Sequence, residues 1–478
     1  METVCPVVLI EFNELSPILV DRFVKQGKLP NFERFRSESQ VFVTEADERA
    51  PYLEPWIQWI TVHSGLNYRE HGIFKLGDGH LLDEQCVWDV LSEAGFRVWV
   101  CGSMNIRFDR PLRGWVLPDP WATEVQPYPN ELFPYFNFVQ RNVVEYTKDR
   151  VPLTLADFVR FIRFMLGHGL SASTVRRIVQ QLVGERIGTR MRWRRAVLLD
   201  RLQFDLFRSH YCDHKPDFST YFVNSTAHFQ HFYWRNLQPE LFKVKPSAAD
   251  QAQFQDAVLF GYQQMDQLLD EFIALAGEDA TLILCTALSQ QPCLKYEEEG
   301  GKVVYRPRDF NAFLDFAGIR GRFKIAPIMA EEFLVYFDSE ACACEAEQRL
   351  LSLQVEKRPA MAITREARIL SCNCRIVTKL PQDAILHAAY GKRSTPFFDI
   401  FYQIEGIKSG MHHPDGMLWI RTRDRRQKIN AEKLPLDAVA PMILEMFGVQ
   451  TPRSKVSRAA HYRFGGNTVV TSPVKIAH

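Results

Sequence analysis

Val7-Val-Leu-Ile-Glu-Phe-Asn-Glu-Leu-Ser-Pro17 is an apolar run whose polar side chains, Glu11, Asn13 and Glu14, come at its end. A short apolar run of this kind, followed by a turn signal, predicts a buried strand. In open parallel sheets the groups that contact ligands lie at the carboxyl ends of the strands. The stretch therefore predicts a strand of an α/β sheet and places a candidate site at its carboxyl end.

A second stretch belongs with the first: Ala50-Pro-Tyr-Leu-Glu-Pro-Trp-Ile-Gln-Trp-Ile-Thr-Val-His-Ser-Gly-Leu-Asn-Tyr-Arg-Glu-His-Gly-Ile73. Pro55 favours the first position of a helix, and Ser64-Gly65 favours its end. Glu54 comes directly before that helix. A carboxylate there either caps the helix, where it gains from the helix dipole, or contacts a ligand.

Strand and helix patterns alternate along much of the chain. Apolar runs predict strands at 4–12, 97–102, 219–224 and 281–286, and helical spacing predicts helices at 17–27, 55–64, 86–95 and 252–276. This alternation predicts an α/β fold with a mostly parallel central sheet flanked by helices. We expect the following division: 1–136 as the N-terminal part of the core, 137–215 as a basic helical insertion that caps the ligand edge, 216–326 as the core continued, 327–390 as a small α/β subdomain, and 391–478 as the C-terminal part of the core with a tail.

The composition excludes some classes of protein. A chain of 478 residues, 46% of them hydrophobic, can bury a large core, and a net charge of +1 gives no global attraction to nucleic acid or membranes. No basic, apolar leader and no uncharged run of about 18 residues is present, so we expect a cytoplasmic protein without a transmembrane segment. The ten cysteines include the pairs Cys342/Cys344 and Cys372/Cys374. Their spacing is tighter than that of common zinc sites, which favours ordinary packing over metal binding.

Six further segments follow one another in an order typical of a known family: Gly27-Lys-Leu-Pro-Asn-Phe32, Tyr221-Phe-Val-Asn-Ser-Thr-Ala-His228, Tyr262-Gln-Gln-Met-Asp266, Thr281-Leu-Ile-Leu-Cys-Thr-Ala-Leu-Ser289, Met411-His-His-Pro-Asp-Gly416 and Leu436-Asp-Ala-Val-Ala-Pro-Met-Ile-Leu-Glu-Met-Phe-Gly448. Together with the two stretches above, they resemble the alkaline phosphatase superfamily, and within it the type I phosphodiesterase/nucleotide pyrophosphatase group. The resemblance implies an α/β fold with two divalent ions held by Asp and His, and a Thr or Ser nucleophile between them.

The chain departs from that pattern at several ligand positions. Asn13 and Asn224 stand where the family has metal-ligating Asp, and Ala287-Leu288 replaces its late Asp-His pair. The nucleophile position falls on Leu53 or Pro55, depending on the alignment. Strand alternation puts Glu11 on the same side as Asn13, so Glu11 could supply the missing carboxylate.

The resemblance therefore implies one surviving metal position. Its ligands would be Asn224, His228 and either His412 or His413, a choice the sequence leaves open, and the ion would be zinc or manganese. The candidate catalytic residues are Glu54, His231 and Glu11. The candidate substrate contacts are Asn13, Ser289 and Gln290, whose amides and hydroxyls hydrogen-bond phosphates and sugars.

These residues predict a metal-dependent hydrolase or transferase that acts on a phosphate ester or phosphodiester through one divalent ion. The alternative is a catalytically inert relative that binds a sugar phosphate or nucleotide. A third possibility is metal-free chemistry with Glu54 and His231 as acid and base. The expected partner is a small phosphorylated or glycan-phosphate substrate and not nucleic acid, and the oligomeric state is left open.

One basic run remains: Arg176, Arg177, Arg186, Arg190, Arg192, Arg194 and Arg195. Such runs are usually solvated helix faces. If it has a function, we expect it to collect a phosphate-bearing or acidic glycan substrate, because arginine grips phosphate with two parallel hydrogen bonds.

Overall fold

The computed structural model describes residues 5–109, 111–145, 153–327, 332–404 and 406–450. Its strands, in chain order, are Val7–Phe12 (β1), Gln40–Glu45 (β2), Val98–Cys101 (β3), Gly114–Leu117 (β4), Phe218–Val223 (β5), Thr281–Cys285 (β6), Ser289–Pro292 (β7), Tyr305–Pro307 (β8), Phe323–Pro327 (β9), Phe333–Phe337 (β10), Leu353–Val355 (β11), Arg358–Pro359 (β12), Met361–Glu366 (β13), Ile369–Cys374 (β14), Ile385–Ala388 (β15), Arg393–Pro396 (β16), Phe401–Gln403 (β17), Gly410–His413 (β18), Asp415–Arg421 (β19), Lys428–Ile429 (β20) and Leu434–Pro435 (β21).

The α-helices, in the same order, are Pro17–Lys25 (α1), Pro30–Ser37 (α2), Pro55–Ser64 (α3), Tyr68–His71 (α4), Val87–Glu93 (α5), Phe133–Glu145 (α6), Leu155–Gly167 (α7), Ala172–Ile187 (α8), Ala196–His214 (α9), Ser225–Leu237 (α10), Ala248–Phe254 (α11), Ala257–Ala276 (α12), Phe310–Phe316 (α13), Glu340–Leu351 (α14), Phe397–Ile400 (α15) and Val439–Met446 (α16). The helix predicted to begin at Pro55 is present, and all four predicted strands lie within three residues of their predicted bounds.

The central sheet has the strand order β20-β2-β19-β6-β1-β5-β3-β4, with β21 paired to β2. Strand β1 lies between β5 and β6 and is parallel to both, and β3 is parallel to β5 and β4. Only β19, next to β6 and β2, runs antiparallel within the described sheet. The predicted mostly parallel α/β fold is therefore confirmed.

Helices cover both faces of this sheet, and β1 shows why. Val8, Ile10 and Phe12 belong to the apolar cluster that includes residues of α1, α2, α9, α10 and α12, whereas Val7 and Leu9 belong to the opposite cluster, which includes residues of α3, α5 and α16. Successive side chains of a strand point to opposite faces. A strand buried on both faces must be apolar throughout, as the Val7–Phe12 sequence is except at Glu11.

The described residues of 137–215 include the helices α7, α8 and α9 and the end of α6, and α9 packs on the central sheet. In α9, Phe204 and Phe207 pack against Tyr221 of β5 and Phe272 of α12. Helix α9 therefore belongs to the helical layer on the sheet. The prediction that the remainder of this region covers the ligand edge stays a prediction, and part of it lies outside the described residues.

The predicted small α/β subdomain, 327–390, contributes to a third hydrophobic cluster, which also includes residues on both sides of it, from Val303 to Phe401. Its sheet has the order β13-β14-β10-β9, and α14 packs on it. All ten cysteines are free thiols; Cys342 and Cys344 are exposed on α14, while Cys372 and Cys374 are buried in β14. Within the described ranges, no helix has the length and apolarity needed to cross a lipid bilayer.

Helix α2 depends on a carboxylate from another helix. Its own N-cap residue, Leu29, cannot cap it, but Asp266 of α12 accepts hydrogen bonds from the backbone N–H groups of Asn31 (3.0 Å) and Phe32 (2.9 Å) and from the Asn31 side chain (2.9 Å). These contacts satisfy N–H groups that a helix start otherwise leaves unpaired.

We predict that Asp266→Ala lowers the free energy of unfolding by about 2 kcal/mol, because charged acceptors at a helix start contribute about that much. Urea denaturation followed by circular dichroism measures the loss. The control is Asp270→Ala, one helical turn away on α12, where the side chain is 56% exposed. Equal losses in the two variants would contradict the assignment.

Candidate functional site

The site begins where β1 ends. Strand alternation stops at Phe12, and Glu14 has a left-handed backbone with φ of +62° before α1 begins at Pro17. A non-glycine residue in this conformation is uncommon, and such conformations cluster at functional sites. The turn leaves the Glu14 carboxylate 2% exposed at the carboxyl end of the central strand.

Asn13 joins three elements through its side-chain amide. Its Oδ1 accepts a hydrogen bond from Nε1 of Trp59 in α3 (2.8 Å), and its Nδ2 donates to Oδ1 of Asn224 at the start of α10 (2.7 Å) and to Oε1 of Glu14 (2.9 Å). An ionised aspartate at position 13 could still accept from Trp59 but has no N–H to donate to Asn224 or Glu14. Asn13 therefore positions the Glu14 carboxylate.

Two buried glutamines complete the support of Glu14. Gln290 Nε2 donates to the Glu14 carboxylate (Oε2, 2.5 Å), and Gln230 Nε2 donates to the Glu14 carbonyl (2.8 Å). The hydroxyl of Tyr262 donates to Gln230 (2.7 Å) and accepts from the backbone N–H of Ser16 (2.8 Å). The β1–α1 turn is thus held from α10, α12 and β7.

Two histidines from distant parts of the chain approach the same carboxylate. Oε2 of Glu14 lies 3.2 Å from Nε2 of His231 in α10 and 3.4 Å from Nε2 of His412 in β18. One ligand atom from each of the three residues lies within 4.8 Å of the others, and this is the one such group of three among the described residues. Neighbouring ligand atoms around a tetrahedral zinc ion are about 3.3 Å apart, so these spacings fit a single ion.

The second nitrogen of each imidazole has its own acceptor. Nδ1 of His231 donates to the Gly410 carbonyl (3.2 Å), and Nδ1 of His412 lies 3.4 Å from Oε2 of Glu54. Because a carbonyl can only accept, Nδ1 of His231 carries a proton in this contact, and Nε2 is the ring nitrogen that faces Glu14. Histidines that bind metals have this arrangement, in which a carbonyl or carboxylate fixes the ring from behind.

Gly410 has no room for a side chain. A Cβ there would lie 2.2 Å from Oε1 of Gln290 and 2.5 Å from the Gln230 carbonyl oxygen. The absence of a side chain lets β18 approach α10, and this approach brings His412 to His231.

The ionisation of the group follows from burial and mutual charge. Burial alone would raise the pKa of Glu14, but the charges of His412 and His231 and their hydrogen bonds outweigh burial and hold that pKa well below its usual range. Burial lowers the pKa of His231 to about 4, against the attraction of Glu14. Burial also disfavours the charged form of His412, yet Glu54 and Glu14 together raise its pKa.

The structure divides the predicted metal ligands. His412 lies in the group with Glu14, but the second imidazole is His231, whereas His228 and His413 do not belong to that group. Asn224 is linked to Glu14 through the side chain of Asn13. The His228 ring contacts Phe232, and Nδ1 of His413 accepts from the backbone N–H of Asp415 (3.1 Å). Successive residues of β18 point to opposite sides, which separates His413 from His412.

The predicted catalytic residues also separate. Glu54 is the N-cap residue of α3 but makes no cap hydrogen bond with its side chain, which contacts His412. Glu11 lies apart from this group: it is fully buried, and its Oε1 lies 2.8 Å from Nε2 of His63, whose ring stacks on Trp59. Strand alternation correctly put Glu11 and Asn13 on the same side, since both contact α3.

The three predicted substrate contacts are buried. The side-chain amides of Asn13 and Gln290 both donate hydrogen bonds to the Glu14 carboxylate, and Ser289 is 2% exposed in β7. Direct contact of these three with a substrate stays a prediction. In this structure the two amides position the carboxylate.

Sequence reasoning missed Glu14 because it extended the strand alternation past the strand. Beyond Phe12 the positive φ reorients the chain, so the period of two no longer applies. The available signal was the pair of polar residues Asn13-Glu14 between an apolar strand and a Ser-Pro helix start, which is the position of a turn.

Among solved structures, the chain is similar to phosphonoacetate hydrolase from Sinorhizobium meliloti 1021 in complex with phosphonoacetate, with 12% identity, a TM-score of 0.43, and coverage of 93% of this chain and 96% of that one. It is also similar to murine ectonucleotide pyrophosphatase/phosphodiesterase 5, with 9% identity, a TM-score of 0.41 and coverage of 93% and 95%. The human form of that protein matches with 8% identity, a TM-score of 0.40 and coverage of 94% and 96%.

No protein-family model matches the chain, and no curated protein does. At identities of 8–12%, neither their activities nor the roles of their residues pass to this chain.

We predict that Asn13→Asp destabilises the chain by about 2–4 kcal/mol in the presence of a chelator. The change replaces a donor by a charged acceptor facing the oxygens of Glu14 and Asn224, and an unpaired buried charge costs about that much. Chemical denaturation in EDTA measures the loss. Asn67→Asp, at the half-buried N-cap of α4, is the matched control, and an Asn13→Asp variant as stable as that control would contradict the role of the amide.

A buried carboxyl anchors the start of α10. Asp200 of α9 accepts a hydrogen bond from Ser225, and burial raises its pKa from 3.8 to about 7, against that bond and the charge of Arg201. The folded chain therefore holds this proton up to about pH 7, whereas the unfolded chain releases it near 3.8. The stability this proton confers is complete below pH 3.8 and is lost as the pH rises through 7.

We predict that Asp200→Asn, which keeps the acceptor but cannot ionise, removes this loss. Relative to the unsubstituted chain, the free energy of unfolding of the variant should rise by about 2 kcal/mol between pH 5 and pH 8. Denaturant titrations at both pH values measure the change, with Asp213→Asn on the exposed side of α9 as control. A difference that does not vary with pH would contradict the raised pKa.

Proposed function

We propose that the chain is a metal-dependent hydrolase of phosphate esters or phosphodiesters that uses one divalent cation, held by Glu14, His231 and His412. The observation that supports it is the meeting of these three ligand atoms within 4.8 Å at the carboxyl end of β1. Two imidazoles and one carboxylate are a known ligand set of catalytic zinc sites, which keep a further position open.

The surroundings of the three residues support the same assignment. Gly410 and Glu54 fix the imidazole rings from behind, and Asn13 and Gln290 fix the carboxylate. Ligand residues need such partners because a rotating side chain loses affinity for the ion. Zinc and manganese are the ions that suit this mixture of nitrogen and oxygen donors.

The choice of phosphate esters rests on the sequence motifs. The six segments that resemble the alkaline phosphatase superfamily run through the strands and helices that carry Asn224, His231 and His412. A divalent cation in the site supplies Lewis-acid polarisation of a phosphoryl oxygen. No residue at the nucleophile position of the family pattern can attack phosphorus, so water is the nucleophile in this proposal.

Glu54 is the proposed base. Its side chain is 29% exposed beside His412, whereas that of Glu14 is 2% exposed. In the hydrolytic step a water oxygen bonds to phosphorus, the ester P–O bond breaks, one water proton passes to the Glu54 carboxylate, and the leaving oxygen takes a proton from solvent. A positioned base of this kind contributes about 10²–10⁴-fold.

We predict that the purified chain carries about one equivalent of zinc or manganese, and that His231→Ala and His412→Ala each lower this content at least tenfold. Elemental analysis by plasma mass spectrometry measures it. His228→Ala and His413→Ala are the matched controls, since both remove an imidazole next to the site, and both should keep the ion. Retention in His231→Ala together with loss in His228→Ala would overturn the ligand set.

The hydrolase activity needs a separate measurement. We expect turnover of p-nitrophenyl phosphate or bis-p-nitrophenyl phosphate that is lost with EDTA and restored by the ion, and a kcat lowered at least a hundredfold by Glu54→Gln with the ion retained. A loaded chain that turns over neither compound would refute the hydrolase proposal and favour the inert, ligand-binding alternative.

A further inference from the structure

An unusual amount of apolar surface lies on two consecutive helices far from the candidate site in sequence. Of the 21 large hydrophobic side chains exposed among the described residues, ten lie between Leu155 and Ile187. Soluble proteins expose single apolar residues commonly, but a concentration of them marks an interaction surface.

On α7 the exposed apolar residues form one stripe. Leu155, Val159, Ile162 and Leu166 recur at the spacing of a helix face and are exposed by 81%, 58%, 50% and 69%. The opposite side of α7 carries the buried residues Phe161, Phe164 and Met165 and packs against the core. The stripe is therefore a second apolar face.

Helix α8 repeats the pattern. Val175, Val179, Leu182, Val183 and Ile187 are exposed, whereas Thr174 is buried and Arg177 turns inwards to Gln264 (3.1 Å) and Gln267 (2.9 Å) of α12. Both helices begin with a side-chain cap, from Thr154 and Ser171 respectively. We call the exposed apolar residues of α7 and α8 the apolar patch.

The charges around this surface have one sign. Arg160, Arg163, Arg176 and Arg186 are exposed on the same two helices. The sequence between Leu153 and Gly188 has two acidic residues, and both have partners. Asp157 accepts from Thr154 and from Arg141 (2.9 Å), and Glu185 pairs with Arg195.

We propose that α7 and α8 form a docking surface for an anionic lipid bilayer, with the apolar residues in the boundary between headgroups and acyl chains and the arginines on the lipid phosphates. Helices with an exposed apolar stripe and cationic flanks bind bilayer surfaces in this way. Anionic lipids attract each arginine near the surface. The chain lies on the bilayer, since no described helix is long and apolar enough to cross it.

Charge argues against two other occupants. A second copy, paired through the same patch on both subunits, would bring arginines against arginines, because a two-fold interface places a patch on itself. The segment 451–478 has five basic residues and no acidic one, so it would also meet like charge. An anionic lipid surface complements both the apolar and the cationic parts of the patch.

The inference is independent of the proposed function, since it uses none of the residues of the candidate site. It also differs from the expectation that the basic run is a solvated face. The sequence pattern showed the arginines, but only the structure shows that Val175, Val179 and Leu182 between them are exposed.

Flotation of the purified full-length chain with lipid vesicles tests the proposal. We expect the chain to float with vesicles of phosphatidylcholine and phosphatidylglycerol (7:3) in 0.1 M salt, at least tenfold more than with phosphatidylcholine alone, and less in 0.5 M salt because salt screens the arginines. Val159→Ser/Ile162→Ser/Leu166→Ser and, separately, Arg163→Gln/Arg176→Gln/Arg186→Gln should each lower the bound fraction at least tenfold.

The control combines Ile18→Ser, Leu81→Ser and Ile429→Ser, which remove equally exposed apolar side chains elsewhere and should leave flotation unchanged. Thermal melts and circular dichroism verify that every variant is folded. Three outcomes would each overturn the proposal: no flotation of the unsubstituted chain, equal flotation of all variants, or a dimer in sedimentation velocity that the serine triple abolishes while vesicles bind nothing.

Discussion

The hydrogen bonds of Asn13 are the constraint on which the candidate site depends. One amide links Trp59 of α3, Asn224 at the start of α10, and Glu14 in the turn after β1. A buried polar group is stable only when its donors and acceptors are paired, so the three elements can meet here in few ways. The same network maintains the left-handed backbone of Glu14. Gln230 donates a hydrogen bond to the Glu14 carbonyl, and the backbone N–H of Ser16, two residues later, donates to the Tyr262 hydroxyl.

This network explains which residue presents a carboxylate at the end of the first strand, which the family pattern alone does not. An aspartate at the end of the first strand would present a carboxylate directly, whereas this chain has an amide there and presents the carboxylate of the next residue. Glu14 reaches His231 one turn along α10 from the family's histidine position, and it also reaches His412. A longer carboxylate one position later and an imidazole three positions later are thus matched changes, because moving only one of them would separate the ligands. In the proposed function, these departures from the pattern correspond to a single-ion site at a new position.

The proposed membrane surface lies on a different part of the molecule and obeys a different rule. One face of each of α7 and α8 packs against the core. On α7 this face consists of Phe161, Phe164 and Met165. The second apolar face buries little of its area on folding, since its residues stay 42–85% exposed in the folded chain. Exposed valine and leucine side chains between arginines suit the boundary of a bilayer, where apolar acyl chains meet charged headgroups.

The sequence by itself determined the strand β1, the helix that begins at Pro55 and the mostly parallel α/β architecture, and it predicted one site region with Glu54 and either His412 or His413. Apolar runs, helical spacing and turn residues are local signals, and they suffice for these features. Only the tertiary structure decided that the carboxylate beside His412 is that of Glu14, that the imidazole next to it is that of His231, and that α9 packs on the sheet. The reason is that each of these choices depends on how one element is rotated against another. A backbone turn at Glu14, the rotation of α10 and the close approach of β18 at Gly410 are set by contacts between residues up to several hundred positions apart in the chain.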